Sequence, residues 1–83
     1  MKEIQPVRFP LNLGTAIYLN CVGADNFSTS VTIYYQLTSS ENATLQAGNL
    51  NMDGEDYESY NTSANGNDFI YNWSANELGV ILI

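Results

Sequence analysis

"VTIYYQL", residues 31–37, decides the fold. Val31, Ile33, Tyr35 and Leu37 share one parity, and Thr32, Tyr34 and Gln36 share the other, which is the period-two pattern of a half-buried strand. Upstream, "TAIYLNCV" (15–22) sets Ile17, Leu19 and Cys21 on one side and Ala16, Tyr18 and Val22 on the other. With apolar residues on both sides, it reads as a central strand covered on both faces. The connecting "GADNFSTS" (23–30) has the composition of a turn.

Downstream of Leu37, "TSSENA" (38–43) supplies a second polar turn and "ATLQAGNLNM" (43–52) a third strand. Leu45 and Ala47 lie on one parity and Leu50 and Met52 on the other, with Gly48 at the flip. A bulge at Gly48 and Asn49 keeps all four apolar side chains on the core face. A hairpin turn at "AGN" explains the same flip, and the bulge is preferred because the hairpin's half-strands are very short. Pro6 and Pro10 flank "VRF", so residues 1–12 suit an edge strand or extended arm.

The pattern then changes from period two to helical spacing. In "DGEDYESY" (53–60), Asp53 is placed as an N-cap, Glu55 and Asp56 face the positive end of a short helical turn, and Tyr57 and Tyr60 share a face at i, i+3. "NTSANGN" (61–67) reads as a loop. In "DFIYNWSANELGV" (68–80), Phe69, Ile70 and Trp73 cluster at helical spacing, Asn67 or Asp68 caps the start, and Gly79 suits the left-handed position after the end. This predicts a helix over 67–79 that lays Trp73 across the sheet, with strand for "DFIYNW" as the alternative. "VILI" (80–83) suits a final short strand.

These elements predict an α+β fold: a small antiparallel β-sheet or sandwich with strands over 13–52, a short helical turn and a C-terminal helix. At 83 residues the chain is read as a single domain, residues 1–83. A domain of this size buries only about 60–65% of its unfolded surface, so its core is small. The 45% apolar content is that of a folded chain.

Lys2 and Arg8 are the only bases, against nine Asp and Glu, for a net charge of −7. Affinity for nucleic acid and for anionic membranes comes from Lys and Arg, so neither is expected as a partner. The charge favours solubility and attraction to a basic protein surface. Cys21 is alone, which rules out an internal disulfide and makes oligomerisation an attractive source of stability. Residues 1–20 lack a continuous apolar segment, so neither a signal peptide nor a membrane span is expected. On that ground the four Asn-x-Ser/Thr sequons, at Asn26, Asn42, Asn61 and Asn72, are read as composition and not as glycosylation sites.

The densest chemistry lies in "LNMDGEDYESY" (50–60), where Asp53, Glu55, Asp56 and Glu58 surround Gly54. Aligned on Gly54 as the sixth position of a calcium loop, Asn49, Asn51 and Asp53 take positions one, three and five. The twelfth position is Tyr60 and not the required bidentate Glu, and the incoming segment reads as strand where an EF-hand needs helix. Helix capping and solvated charge are the default reading, with weak adventitious calcium binding at the acidic turn 53–58 as the alternative, and no metal and no cofactor assigned. The chain has no His, which removes the usual general base and every Ser-His or Cys-His nucleophile. Cys21 lies in an apolar strand and reads as a small buried hydrophobe, Lys2 is placed at a mobile terminus, and Asp53 with Asp56 lacks the desolvation that tunes a carboxylate pair. No catalytic residue is assigned, and an enzyme is not expected.

Function is therefore sought on the surface. Tyrosines are rigid and half polar, and bury well at interfaces, so Tyr18, Tyr34, Tyr57, Tyr60 and Tyr71 are the interaction candidates. Strand edges and the "VILI" tail add docking material through β-augmentation.

The run "YYQLTSSENATLQAGNLNMDGEDYESY" (34–60) followed by "FIYNWSANELGVILI" (69–83) resembles small proteins encoded among the structural genes of tailed bacteriophages. Those chains similarly pair a "YxQL"-type strand with a "GNLxMxGxDY" segment and end in an aromatic-rich helix closing on "LG". The matching positions are Gly48, Asn49, Leu50, Met52, Gly54, Asp56 and Tyr57, then Trp73, Leu78 and Gly79, while Tyr60 stands where the pattern has Trp. The resemblance implies a virion protein made in the host cytoplasm, a small accessory subunit that decorates the capsid or sits in the tail or fibre region. Its implied partners are other virion proteins in a symmetric assembly or homo-oligomer. The competing expectation is a small acidic inhibitor, a DNA mimic that occupies a basic host protein, although nine scattered acids do not follow a phosphate repeat.

Overall fold

The computed structural model describes residues 1–10, 13–26 and 29–83. Four strands, β1 (Lys2–Phe9), β2 (Gly14–Asp25), β3 (Ser30–Thr38) and β4 (Thr44–Asp53), are followed by two helices, α1 (Gly54–Asn61) and α2 (Gly66–Leu78). The sheet is an antiparallel meander in the order β1-β2-β3-β4. The fold is thus α+β, a single four-stranded sheet with the helices after it. The strands run longer than the turn signals suggest: Gly23–Asp25, read as turn, continues β2. Residues 11–12 of the predicted arm and 27–28 of the predicted turn lie outside the described residues.

The alternation in β3 holds through the whole strand. Val31, Ile33, Tyr35 and Leu37 are all buried, and each meets a partner on the same face: Val31 opposite Met52, Ile33 opposite Leu50, and Leu37 opposite Leu19. The two helices cover this face. Ile70, Tyr71, Ser74 and Ala75 of α2 and Tyr57 of α1 complete the core around Ile4, Leu19, Ile33 and Met52, which are 0% exposed. Each such aliphatic side chain contributes about 1.5–3 kcal/mol relative to exposure. Gly23 permits the close approach of α2, since a Cβ there would lie 2.8 Å from Ile70 Cδ1.

The predicted bulge at Gly48 does not form. Pairing of β3 with β4 is regular from Ser30↔Asp53 to Leu37↔Gln46 and shifts only between Leu37 and Thr38, where Leu45 becomes the extra residue. Leu45 thereby reaches Gly14, whose ideal Cβ position is 3.5 Å from its Cδ2, and like Val7 and Phe9 it is partly buried against the core. Ala47 stays exposed on the opposite face from Leu50 and Met52. Gly48 instead lies under the Tyr35 ring, with its ideal Cβ position 3.1 Å from the Tyr35 hydroxyl. That hydroxyl accepts a hydrogen bond from Gln46 Nε2 at 3.0 Å.

Three further expectations are corrected. β2 is covered on both faces only at its start, where Ala16 is 0% exposed; two short helices cannot wrap both sides of the sheet, and Val22 farther along is 60% exposed. Trp73 does not lie across the sheet. The small residues Ser74 and Ala75 take the inward face of α2, leaving Trp73 half-buried with its indole N–H on Asp56 Oδ2 at 3.1 Å. Lys2 belongs to β1 and not to a mobile end: its Nζ pairs with Asp68 Oδ1 at 2.8 Å and stands 5.6 Å from the Tyr71 ring centroid.

The helix ends follow from local chemistry. α2 is capped by Asn65, whose Oδ1 accepts from the Asp68 backbone N–H at 3.1 Å, two residues earlier than Asn67. Gly79 closes it in the left-handed region at φ 73°. Asp53 occupies the N-cap position of α1 without a side-chain capping bond. The tail after Gly79 folds back on β1: the Gln5 amide donates to the Ile81 carbonyl at 2.8 Å and the Ile83 amide to the Glu3 carbonyl at 3.0 Å.

Candidate functional site

Beyond Ala16 and Thr38, which are buried, the sheet face opposite the helices is open. Register places three rows of side chains on it: Asn20–Gln36–Ala47, Val22–Tyr34–Asn49 and Ala24–Thr32–Asn51. None of the nine is charged, in a chain of net charge −7. Tyr34 is 54% exposed at the centre, beside Val22. A shallow depression of about 330 Å³ runs past Asn20, Val22, Tyr34 and Ala47. The surface is flat, half apolar and rich in amide and hydroxyl groups, which suits contact with another protein.

Of the five tyrosines singled out from sequence, the structure brings only Tyr34 fully to this surface, with Tyr18 half-buried at its margin. Tyr57 and Tyr71, 5% and 3% exposed, are interior residues, which removes them as interaction candidates. Their hydroxyls are satisfied within the fold. Tyr57 donates to the Asp25 carboxylate at 3.1 Å, and Tyr71 accepts from the Cys21 backbone N–H at 3.1 Å and donates to Asn20 Oδ1 at 3.3 Å. Tyr60 is half-buried between Tyr57 and Phe69, with ring centroids 6.1 Å from each. Val22, Asn20 and Gln36 were missed, and the alternation of β2 and β3 is the signal that could have found them.

The acidic stretch 53–58 is a strand end and a helix start. Asn49, Asn51 and Asp53 lie on extended β4, so the calcium-loop geometry does not form there. Among the described residues no three His, Cys, Asp or Glu side chains converge. Glu55 and Asp56 occupy the first turn of α1, where negative charge is favourable, and Asp56 holds Trp73.

Cys21 is buried, and burial pushes its thiol above the ordinary value of 9.0, while the nearby Ser74 hydroxyl and the N-terminal charge pull less strongly the other way. The approach of Ser74 falls short of hydrogen-bond geometry, since its Oγ has no partner among the described residues. A protonated thiol under α2 is packing and not a nucleophile.

No known protein family, curated protein or solved structure matches the chain.

Proposed function

We propose that this chain is a non-enzymatic structural accessory protein of a tailed-bacteriophage particle, one that binds other virion subunits. The observation that carries the reading is the uncharged open sheet face centred on Tyr34. A chain with nine acids keeps them off one flat surface, and a large half-polar aromatic at its centre is the composition of a protein interface core. The resemblance of residues 34–60 and 69–83 to small phage structural proteins supplies the setting. Affinity comes from burial of Val22, Tyr34 and Ala47, and the surrounding acids orient the subunit.

The alternative of an acidic inhibitor that mimics DNA is less well supported. Asp25, Asp56 and Asp68 are engaged by Tyr57, Trp73 and Lys2, so at least three of the nine carboxylates are committed within the fold. The test is quantitative mass spectrometry on purified particles of the phage that encodes the chain. Recovery at a fixed ratio to the major capsid protein is expected, and the ratio separates capsid decoration from tail. Absence from clean particles, with abundance in infected cells, overturns the reading in favour of the inhibitor.

A further inference from the structure

The two edges of the sheet are not equivalent. At the β1 edge, residues 3–5 are paired by the folded-back tail 81–83. Pro6 follows within a register shift between Glu3 and Val7, so the edge is broken where the tail ends. On the stretch of β2 that overruns β1, the Tyr71 hydroxyl of α2 occupies the Cys21 amide, while Val22–Asp25 stay exposed. β4 has none of these protections. Among the described residues no strand pairs with its outer side.

Long sheet edges are normally blunted by Lys, Pro, a central bulge or an inward charge, because their unpaired amides and carbonyls otherwise recruit another strand. β4 runs Thr44–Asp53, and from Thr44 to Met52 it contains no charged residue and no proline. Its register irregularity sits at Leu45, near the start, which leaves Gln46–Asn51 regular and mostly exposed. Unpaired backbone of this kind takes only extended backbone as its partner.

We propose that β4 pairs antiparallel with β4 of a second copy, forming a two-fold dimer with one continuous eight-stranded sheet. One long, regular open edge and one interrupted edge favour this geometry, because a head-to-tail ring or filament needs two edges that each pair along their length. In an antiparallel pair, residues directly opposite share a face, so their numbers sum to an even value. Centred on Asn49, the pairing sets Ala47 opposite Asn51 and the half-buried Leu50 opposite Gly48. The gap at Gly48 is floored by the Tyr35 ring, giving Leu50 of the second copy an apolar contact. No carboxylate meets another along Gln46–Met52 despite the charge of −7 on each copy. The dimer also joins the two open faces side by side. The pairing stands independently of what those faces bind and of any place in a virion.

The test is sedimentation equilibrium of the full chain from ~10 μM to ~1 mM, the range of a weak interface that buries less than the ~800 Å² per partner of a standard one. The expected mass at high concentration is twice the 9.2 kDa of the chain. The variant carrying Ala47→Lys and Asn49→Lys places two exposed positive charges on the edge of each copy and is expected to weaken the dimer at least ~10-fold. Tyr34→Lys, on the open face, is expected to change it less than ~3-fold. Hydrogen exchange needs no variant: the outward amides of Gln46–Asn51 are expected to slow as concentration rises. A monomer throughout the range overturns the proposal, as does a dimer broken by Tyr34→Lys and not by the edge lysines. Open polymers overturn the two-fold closure.

Discussion

Trp73 donates its indole N–H to Asp56 Oδ2 at 3.1 Å, across a separation of 17 residues, and so ties α2 to the first turn of α1. The bond answers two demands at once. Asp56 favours the start of α1 through its negative charge, and the half-buried indole gains a charged acceptor at its wet edge.

Replacing Asp56 therefore tests the link between the helices. Asp56→Ala is expected to cost about 0.5–1 kcal/mol, because the bond is exposed to solvent although its acceptor is charged. Asp56→Asn keeps an acceptor oxygen and is expected to recover much of the loss. Trp73 is the single tryptophan, so its fluorescence during urea unfolding reads both variants directly. Equal stability of wild type and Asp56→Ala would show that the contact is incidental.

The Tyr71 hydroxyl stands where β2 runs past the end of β1, and it supplies the acceptor that the Cys21 amide lacks from a neighbouring strand. Tyr71→Phe leaves that buried donor without a partner, an expected loss of about 1–3 kcal/mol. The Cys21 amide should also exchange faster in the native state. Tyr34→Phe, which alters the hydroxyl of a side chain 54% exposed, is expected to stay within about 0.5 kcal/mol of wild type. A similar loss in both variants would contradict the division of the tyrosines into interior and surface.

That division also marks the limit of what the sequence makes legible. The alternation of residues 31–37 is read correctly because the pattern is local and each odd position is buried as the parity demands. Gly79 is likewise legible, since a helix end needs a left-handed residue and glycine follows the last periodic one. Tyr57 and Tyr71 are misread because their partners, Asp25 and Cys21, lie 32 and 50 residues away and leave no trace in local spacing. The parity flip around Gly48 is misplaced for the same reason: the contact of Leu45 with Gly14 spans β2 to β4 and draws the irregularity to the strand's beginning. The open face is half legible. Parity places Tyr34 on it, whereas only the size of the helical layer shows that Val22 is left uncovered.

Gly79 sits at φ 73° with nothing within 4 Å of its ideal Cβ position, so backbone conformation alone penalises a side chain there. Gly79→Ala is expected to destabilise by about 1 kcal/mol, and Gly79→Asn by less, because asparagine tolerates the left-handed region. Thermal melts followed by circular dichroism measure the difference. Equal effects of Ala and Asn would argue that the position is set by packing and not by backbone strain.

The buried thiol predicts a specific alkaline weakness. Burial raises the folded pKa of Cys21 above 9.0, so the unfolded chain releases this proton first as pH rises. The contribution of the thiol is complete below its ordinary value and is lost from about pH 9 upward through the raised folded value. Cys21→Ala removes this dependence, and also costs stability at every pH through the lost sulfur contacts. The urea stability of wild type should therefore fall more steeply between about pH 8.5 and pH 10 than that of Cys21→Ala, the two curves converging as pH rises. Parallel curves over that window would place the thiol in a solvated site, which the 8% exposure of Cys21 and its position under α2 argue against.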